Sequence, residues 1–83
     1  MYYFYVLKSE ADSKFYYGST NDLKRRIREH DSAKVASTAY RIPINLVYYE
    51  AYTSLDLARM REKQVKSSGS VRTSLLKRIA MHP

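Results

Sequence analysis

The chain has no cysteine, only two glycines and two prolines, and eight acidic residues against fifteen basic ones. Without cysteine there is neither a disulfide framework nor a thiolate zinc site to hold a weak core together. So little glycine and proline, beside 45% hydrophobic residues, argues against a linker-rich or disordered chain. Long apolar runs are missing too, since no stretch approaches the roughly 18 residues that a membrane-spanning helix requires. The opening run 2–7 is half tyrosine and stops at Lys8, without the basic start or longer apolar centre of a signal peptide. No membrane association is expected, and the expected location is the cytoplasm.

What is present fits a single domain, residues 1–83. A chain this short buries only about 60–65% of the surface its unfolded form exposes, so its core is marginal. Nine tyrosines and two phenylalanines are the obvious large pieces for that core. The net charge is +7, with the basic residues spread over segments 24–28, 59–66 and 72–78. Such an excess favours a polyanionic partner, because each phosphate neutralised releases counterions. A merely well-solvated surface is the alternative.

Residues 2–7 are aromatic and β-branched and read as a strand. Residues 9–14 are polar and read as a turn, and 15–18 as a second short strand, giving an antiparallel hairpin. Thr20 and Asn21 suit the N-cap of a helix over 22–30, with Asp22 near its positive end. Leu23, Ile27 and His30 share one face of that helix. Residues 31–43 follow neither period and read as a long loop, of the kind that is usually functional or mobile. Residues 44–52 form a third strand, with Leu46, Tyr48 and Tyr52 on one face and Val47, Tyr49 and Ala51 on the other. Apolar groups on both faces suggest a central strand. Thr53 and Asp56 make a capping box for a second helix reaching about Lys66. Residues 67–69 stop it, and Ser70 caps a third helix over 71–80. The expected fold is α/β of the α+β kind, a small three-stranded antiparallel or mixed sheet flanked by three helices in the order ββαβαα.

Several polar residues fall where helical or strand spacing expects apolar ones. Glu62 lies between Leu55 and Ala58 or Val65 on the second helix's apolar face. A carboxylate there requires a partner, either a neighbouring Arg or Tyr at the domain rim or a bound cation. Arg26 and His30 stand one turn apart beside Leu23 and Ile27 and should point toward the sheet. An ion pair of Arg26 with Glu62 and a satisfied core-edge histidine are the structural readings of that pair. Tyr5 and Tyr16 lie on the two strands of the hairpin, an arrangement most often of packing partners. Gly18 permits close backbone approach just before the helix, whose N-terminus attracts anions.

Taken in order, Tyr3-Phe4-Tyr5, ten residues, Tyr16-Tyr17-Gly18 and then a helix resemble the GIY-YIG nuclease family. The helix segment from Leu23 to His30 resembles the family's arginine helix. The strand Leu46-Val47-Tyr48-Tyr49-Glu50 and the helix from Ala58 to Lys66 resemble its small stand-alone bacterial branch. The resemblance covers roughly residues 2 to 68. In this chain Tyr3 and Phe4 stand where the first motif has glycine and isoleucine, and Tyr17 stands where the second has isoleucine. Residues 31–43 also lack the strongly basic character often found there.

The resemblance implies a divalent-metal-dependent endonuclease that hydrolyses nucleic-acid phosphodiester bonds, DNA rather than RNA, in repair or processing. It implies catalytic roles for Tyr5, Tyr16, Arg26, His30 and Glu62, with Glu62 holding one Mg²⁺ or Mn²⁺ ion. Tyr5 would take the proton of the attacking water, directly or as a phenolate favoured by nearby positive charge, and Arg26 would stabilise the transition state. Tyr16 and His30 would position water or relay protons. Gly18, Lys24, Arg25, Arg28 and Lys66 are the expected nucleic-acid contacts, with Arg72, Lys77 and Arg78 as a second patch. No separate DNA-binding domain is present, so specificity would come from nucleic-acid shape or a partner protein. The competing expectation is a non-catalytic nucleic-acid-binding module that keeps the fold and the charge.

Overall fold

The computed structural model of the chain describes residues 1–36 and 38–81. Its first strand, β1 (Tyr2–Ser9), carries four consecutive buried residues, Phe4, Tyr5, Val6 and Leu7. Burial of successive residues means that both faces of the strand are covered. β1 is accordingly the middle strand of a three-stranded, wholly antiparallel sheet, between β2 (Phe15–Thr20) and β3 (Ile44–Tyr52). The helices are α1 (Leu23–Asp31), α2 (Leu55–Ser67) and α3 (Gly69–Ala80), so the order is ββαβαα and the fold α+β, as expected. No helix among the described residues is long and apolar enough to cross a membrane.

The two faces of β1 feed two apolar clusters. Phe4 and Val6 meet Val65 of α2 and Leu75 of α3, with Tyr17, Tyr48, Val71 and Ile79 packed around them. Tyr5 and Leu7 join Ile44 on the opposite face, with Leu23 and Ile27 of α1 against them. α1 therefore covers one side of the sheet and the α2–α3 pair the other.

β3 is an edge strand, not the central one its two-sided apolar content suggests. The reason is a break in alternation. Val6 pairs with Tyr48, whereas Leu7 pairs with Leu46, which leaves Val47 as an extra residue. Such a bulge puts two successive side chains on one side. Val47 and Tyr48 both pack toward α2 and α3, while Leu46 packs toward α1, so Leu46 and Tyr48 do not share a face.

Three helix starts also differ from expectation by one or two residues. β2 runs through to Thr20, whose hydroxyl takes the Asp22 N–H, and Asp22 itself becomes the α1 N-cap by accepting from the Arg25 N–H. Ser54 rather than Thr53 caps α2 through the Leu57 N–H, which places Asp56 in the first turn without a capping box. Ser68 both closes α2, through its N–H to the Gln64 carbonyl, and caps α3 through its hydroxyl and the Val71 N–H. Two helices thus share one serine, and Ser70 sits inside the first turn of α3.

α1 ends in a reversal that sends the chain back across the sheet. The Lys34 N–H bonds to the Glu29 carbonyl and the Ala33 N–H to the His30 carbonyl, with Ala33 in the left-handed region at φ 63°. This is the Schellman arrangement, normally completed by glycine. A left-handed alanine is strained by about 1–2 kcal/mol, against roughly 0.4–1 kcal/mol of unfolded-state entropy that a glycine adds. Ala33→Gly should therefore stabilise the protein by a net ~0.5–1 kcal/mol, a rise of several degrees in Tm by calorimetry at this chain length. A lower Tm would show that the turn is held in place by contacts of the Ala33 methyl.

Candidate active site

The hairpin register sets the geometry of the site. Tyr5 lies directly opposite Gly18, and the space that a side chain at Gly18 would fill is occupied by the Tyr5 ring and hydroxyl. The glycine thus lets the Tyr5 ring lie across β2, and Tyr5 is left only 3% exposed. Tyr16 is on the same face, two residues along. Leu23 and Ile27 dock α1 on this face, which carries Arg26 and His30 to the Tyr5 hydroxyl. Arg26 Nε lies 3.4 Å and His30 Nε2 3.2 Å from Tyr5 Oη. The imidazole is 4% exposed and meets the phenol ring edge to face, with centroids 6.0 Å apart.

From the other side of β2, α2 contributes Glu62. The Ser19 hydroxyl donates to Glu62 Oε1 at 2.6 Å and the Lys66 ammonium to Oε2 at 2.6 Å. Arg26 pairs with Glu29 at 3.5 Å, not with Glu62, because the two carboxylates stand on different sides of the β2 edge. A cleft of about 390 Å³ joins these groups, lined by Tyr5, Tyr16, Gly18, Arg26, His30, Glu62 and Lys66. It is also lined by Phe15, Tyr17 and Ser19, so five successive β2 residues border it. That is possible only because the cleft straddles the strand's free edge.

The structure therefore brings together all five residues expected to be catalytic, with Gly18 and Lys66. It does not bring Lys24, Arg25 or Arg28 into the cleft. All three are exposed on α1; Arg25 bonds to Asn21, and Lys24 borders a separate groove with Tyr3, Leu46 and Tyr49. Tyr16 borders the cleft, but its hydroxyl donates to Asp12 at 3.4 Å, and Asp12 is held by Arg41. Sequence reasoning missed Ser19, Val35 and Thr38. The last is fully buried with its hydroxyl 2.7 Å from His30 Nδ1. No periodicity in 31–43 could have pointed to it.

Burial dominates the electrostatics. It raises the Tyr5 pKa, an effect that the hydrogen bond and charge of Arg26 only partly offset. The Tyr5 hydrogen bond raises the Arg26 pKa. Burial, helped by the Arg26 charge, lowers the His30 pKa. The phenolate expected from neighbouring positive charge is thus not what the chain alone favours. At neutral pH the protonated phenol and the neutral imidazole are the forms that burial favours.

Among the described residues no three His, Cys, Asp or Glu side chains cluster as metal ligands. Among those residues Glu62 is also the one carboxylate lining the cleft. Mg²⁺ is often held by one or two carboxylates, keeping waters and substrate oxygens for its other positions. An anionic side chain whose one cationic partner among the described residues is the Lys66 ammonium fits that donor set.

Comparison with known proteins points one way. A model of the GIY-YIG catalytic domain matches residues 1–82. A UPF0213 protein of Streptococcus pyogenes serotype M5 (strain Manfredo) is 41% identical over 81 residues, covering 96% of this chain and 86% of its own. One from serotype M3 is 40% identical over the same length. The solution NMR structure of a UPF0213 protein from Bacillus halodurans superposes with a TM-score of 0.60 at 33% identity, covering 100% of this chain and 89% of that one.

The lowered His30 pKa has a measurable consequence for stability. Below the ordinary histidine value of 6.5 the unfolded chain binds a proton that the folded imidazole resists. Stability should therefore fall as pH is lowered from about 7.5 through that value. Urea midpoints measured down to about pH 5.5 should show this slope in the parent and lose it in His30→Asn, whatever that change does to absolute stability. An identical slope in the two proteins would mean that His30 titrates freely.

Proposed function

The chain belongs to the GIY-YIG nuclease family, and from that premise we propose that it is a divalent-metal-dependent endonuclease hydrolysing DNA phosphodiester bonds in repair or processing. The observation that carries this reading is the convergence of Tyr5, Tyr16, Arg26, His30 and Glu62 on one cleft. Glu62 is the residue to hold Mg²⁺ or Mn²⁺. When bound, the ion supplies polarisation of a phosphoryl oxygen and charge stabilisation at the leaving oxygen.

The chain's own groups account for the remainder. The Arg26 guanidinium borders the cleft and stabilises charge that develops on the phosphoryl oxygens. A protonated Tyr5 is a poor standing base, so it acts as a relay. It takes the proton of the attacking water while passing its own to His30 Nε2, 3.2 Å away. The neutral imidazole is suited to receive it. Tyr16 orients the water, and Lys66 adds positive charge toward the polyanion. Selectivity comes from nucleic-acid shape or from a partner protein.

A binding module that does not cut has one observation in its favour, the Lys66 ammonium that already neutralises Glu62. Glu62→Gln separates the two readings. In Mg²⁺ it should abolish nicking of branched, single-stranded and duplex DNA, yet bind DNA as tightly as the parent or more so, because a negative charge facing phosphate is lost. Parental cutting by this variant would refute the one-metal assignment, and a parent that binds but never cuts would establish the module.

Tyr5→Phe keeps the ring and removes the relay. Its single-turnover rate should fall about 10²-fold, and Tyr16→Phe should lose less. A near-parental rate with an unchanged pH profile would leave His30 acting on water without Tyr5.

A further inference from the structure

Thr38 is fully buried beneath the catalytic cleft, in the irregular segment between α1 and β3. Other contacts hold that segment in place. The Ile44 N–H bonds to Asp31 Oδ1, and the Ser9 hydroxyl donates to the Arg41 carbonyl. Thr38 Oγ1 lies 2.7 Å from His30 Nδ1 and 3.4 Å from the Val35 carbonyl oxygen. The carbonyl only accepts, so the single hydroxyl proton goes there and Oγ1 accepts from the imidazole. At the far end, the Arg26 Nε–H only donates, and it points at Tyr5 Oη from 3.4 Å. The phenol proton is then free to go to His30 Nε2. One direction satisfies every contact: Arg26 to Tyr5, Tyr5 to His30, His30 to Thr38, Thr38 to Val35. The reverse direction puts a hydrogen on Nε2, where it would face the phenol and block receipt of its proton.

We propose that Thr38 is a positioning residue that holds neutral His30 as its Nδ1–H tautomer, leaving Nε2 as a bare acceptor for the Tyr5 hydroxyl. In a histidine the nitrogen that carries the proton is set by the hydrogen bond the other makes. The charged and titratable groups around the ring are Arg26, Glu29 and Asp31 of α1 and Tyr5 of β1. None of them reaches Nδ1 as Thr38 does. The inference rests on the nuclease reading for its functional meaning, but the tautomer itself does not.

The test uses ¹⁵N-labelled full-length protein carrying His82→Gln, so that one imidazole remains, with proton–nitrogen correlation spectra at a pH where that ring is neutral. The parent should show a protonated Nδ1 and an unprotonated Nε2. Thr38→Val keeps the shape, loses the acceptor, and should shift the ring toward the Nε2–H tautomer. Thr38→Ser should restore the parental pattern. Single-turnover cleavage of DNA should fall between about 10- and 10²-fold in Thr38→Val, with an altered pH profile, and recover in Thr38→Ser. An Nε2–H ring in the parent, or an unchanged tautomer in Thr38→Val, overturns the proposal. The parent spectrum decides the matter even if Thr38→Val does not fold. A parent with the Nδ1–H tautomer and no cleavage would instead refute the nuclease reading alone.

Discussion

Tyr5 is almost completely buried in the middle strand of the sheet, and a phenol so placed must bond its hydroxyl inside the protein or lose about 1–3 kcal/mol. Nothing on β1 or β2 supplies a partner, because the residue opposite is Gly18. The partners come from α1, whose Leu23 and Ile27 fix it against the sheet so that Arg26 and His30 meet the hydroxyl. His30, buried in turn, needs a bond at its second nitrogen, and the segment after α1 folds back to provide it. Each satisfied group thus recruits the next, from sheet to helix to loop. The site is a chain of polar debts settled in order of burial.

This ordering explains what could be read from the sequence and what could not. Residues whose type or period speaks for itself are legible: the aromatic and β-branched run 2–7, the face formed by Leu23, Ile27 and His30, and the spacing that sets Glu62 beside Val65. The β1–β2 hairpin and the order of elements follow from those periods and from turn chemistry. What escaped were positions where a local bond overrides the period. Val47 breaks the alternation of β3 and so disguises an edge strand as a central one. Asp22, Ser54 and Ser68 decide helix starts by each capturing a single N–H group, a choice between neighbours of like chemistry. Thr38 matters only through a contact that crosses from an aperiodic segment, where one threonine resembles any other. Arg26 and Glu62 both lie at the cleft, yet the ion pair their spacing allowed is absent, since β2 comes between them.

The sheet also divides labour between its faces. The side holding Phe4 and Val6 is packed by α2 and α3, joined through one shared cap at Ser68, and sets a half-buried Glu50–Arg61 pair with the Tyr48 and Tyr52 hydroxyls beside its apolar cluster. The side holding Tyr5 carries the chain of polar groups from Arg26 through Tyr5 and His30 to Thr38. Glu62 belongs to the first layer by its helix and to the cleft by its carboxylate, reached through Ser19 at the rim of β2. The α2–α3 layer therefore fixes the position of the carboxylate while the opposite layer fixes the phenol, the imidazole and the guanidinium.

β2 has a strand neighbour on one side only among the described residues, so its outer edge presents free backbone groups along the cleft. Such an edge is a template for a foreign polypeptide strand, and proteins commonly guard it with charge. Here Arg26 stands on one side of the edge, and Glu62 and Lys66 on the other, with Glu62 tied to the strand itself through Ser19. An incoming β-strand would have to displace or desolvate all three. The groups that furnish the cleft thereby also protect the molecule from edge-to-edge self-association, and solubility and chemistry draw on the same few side chains.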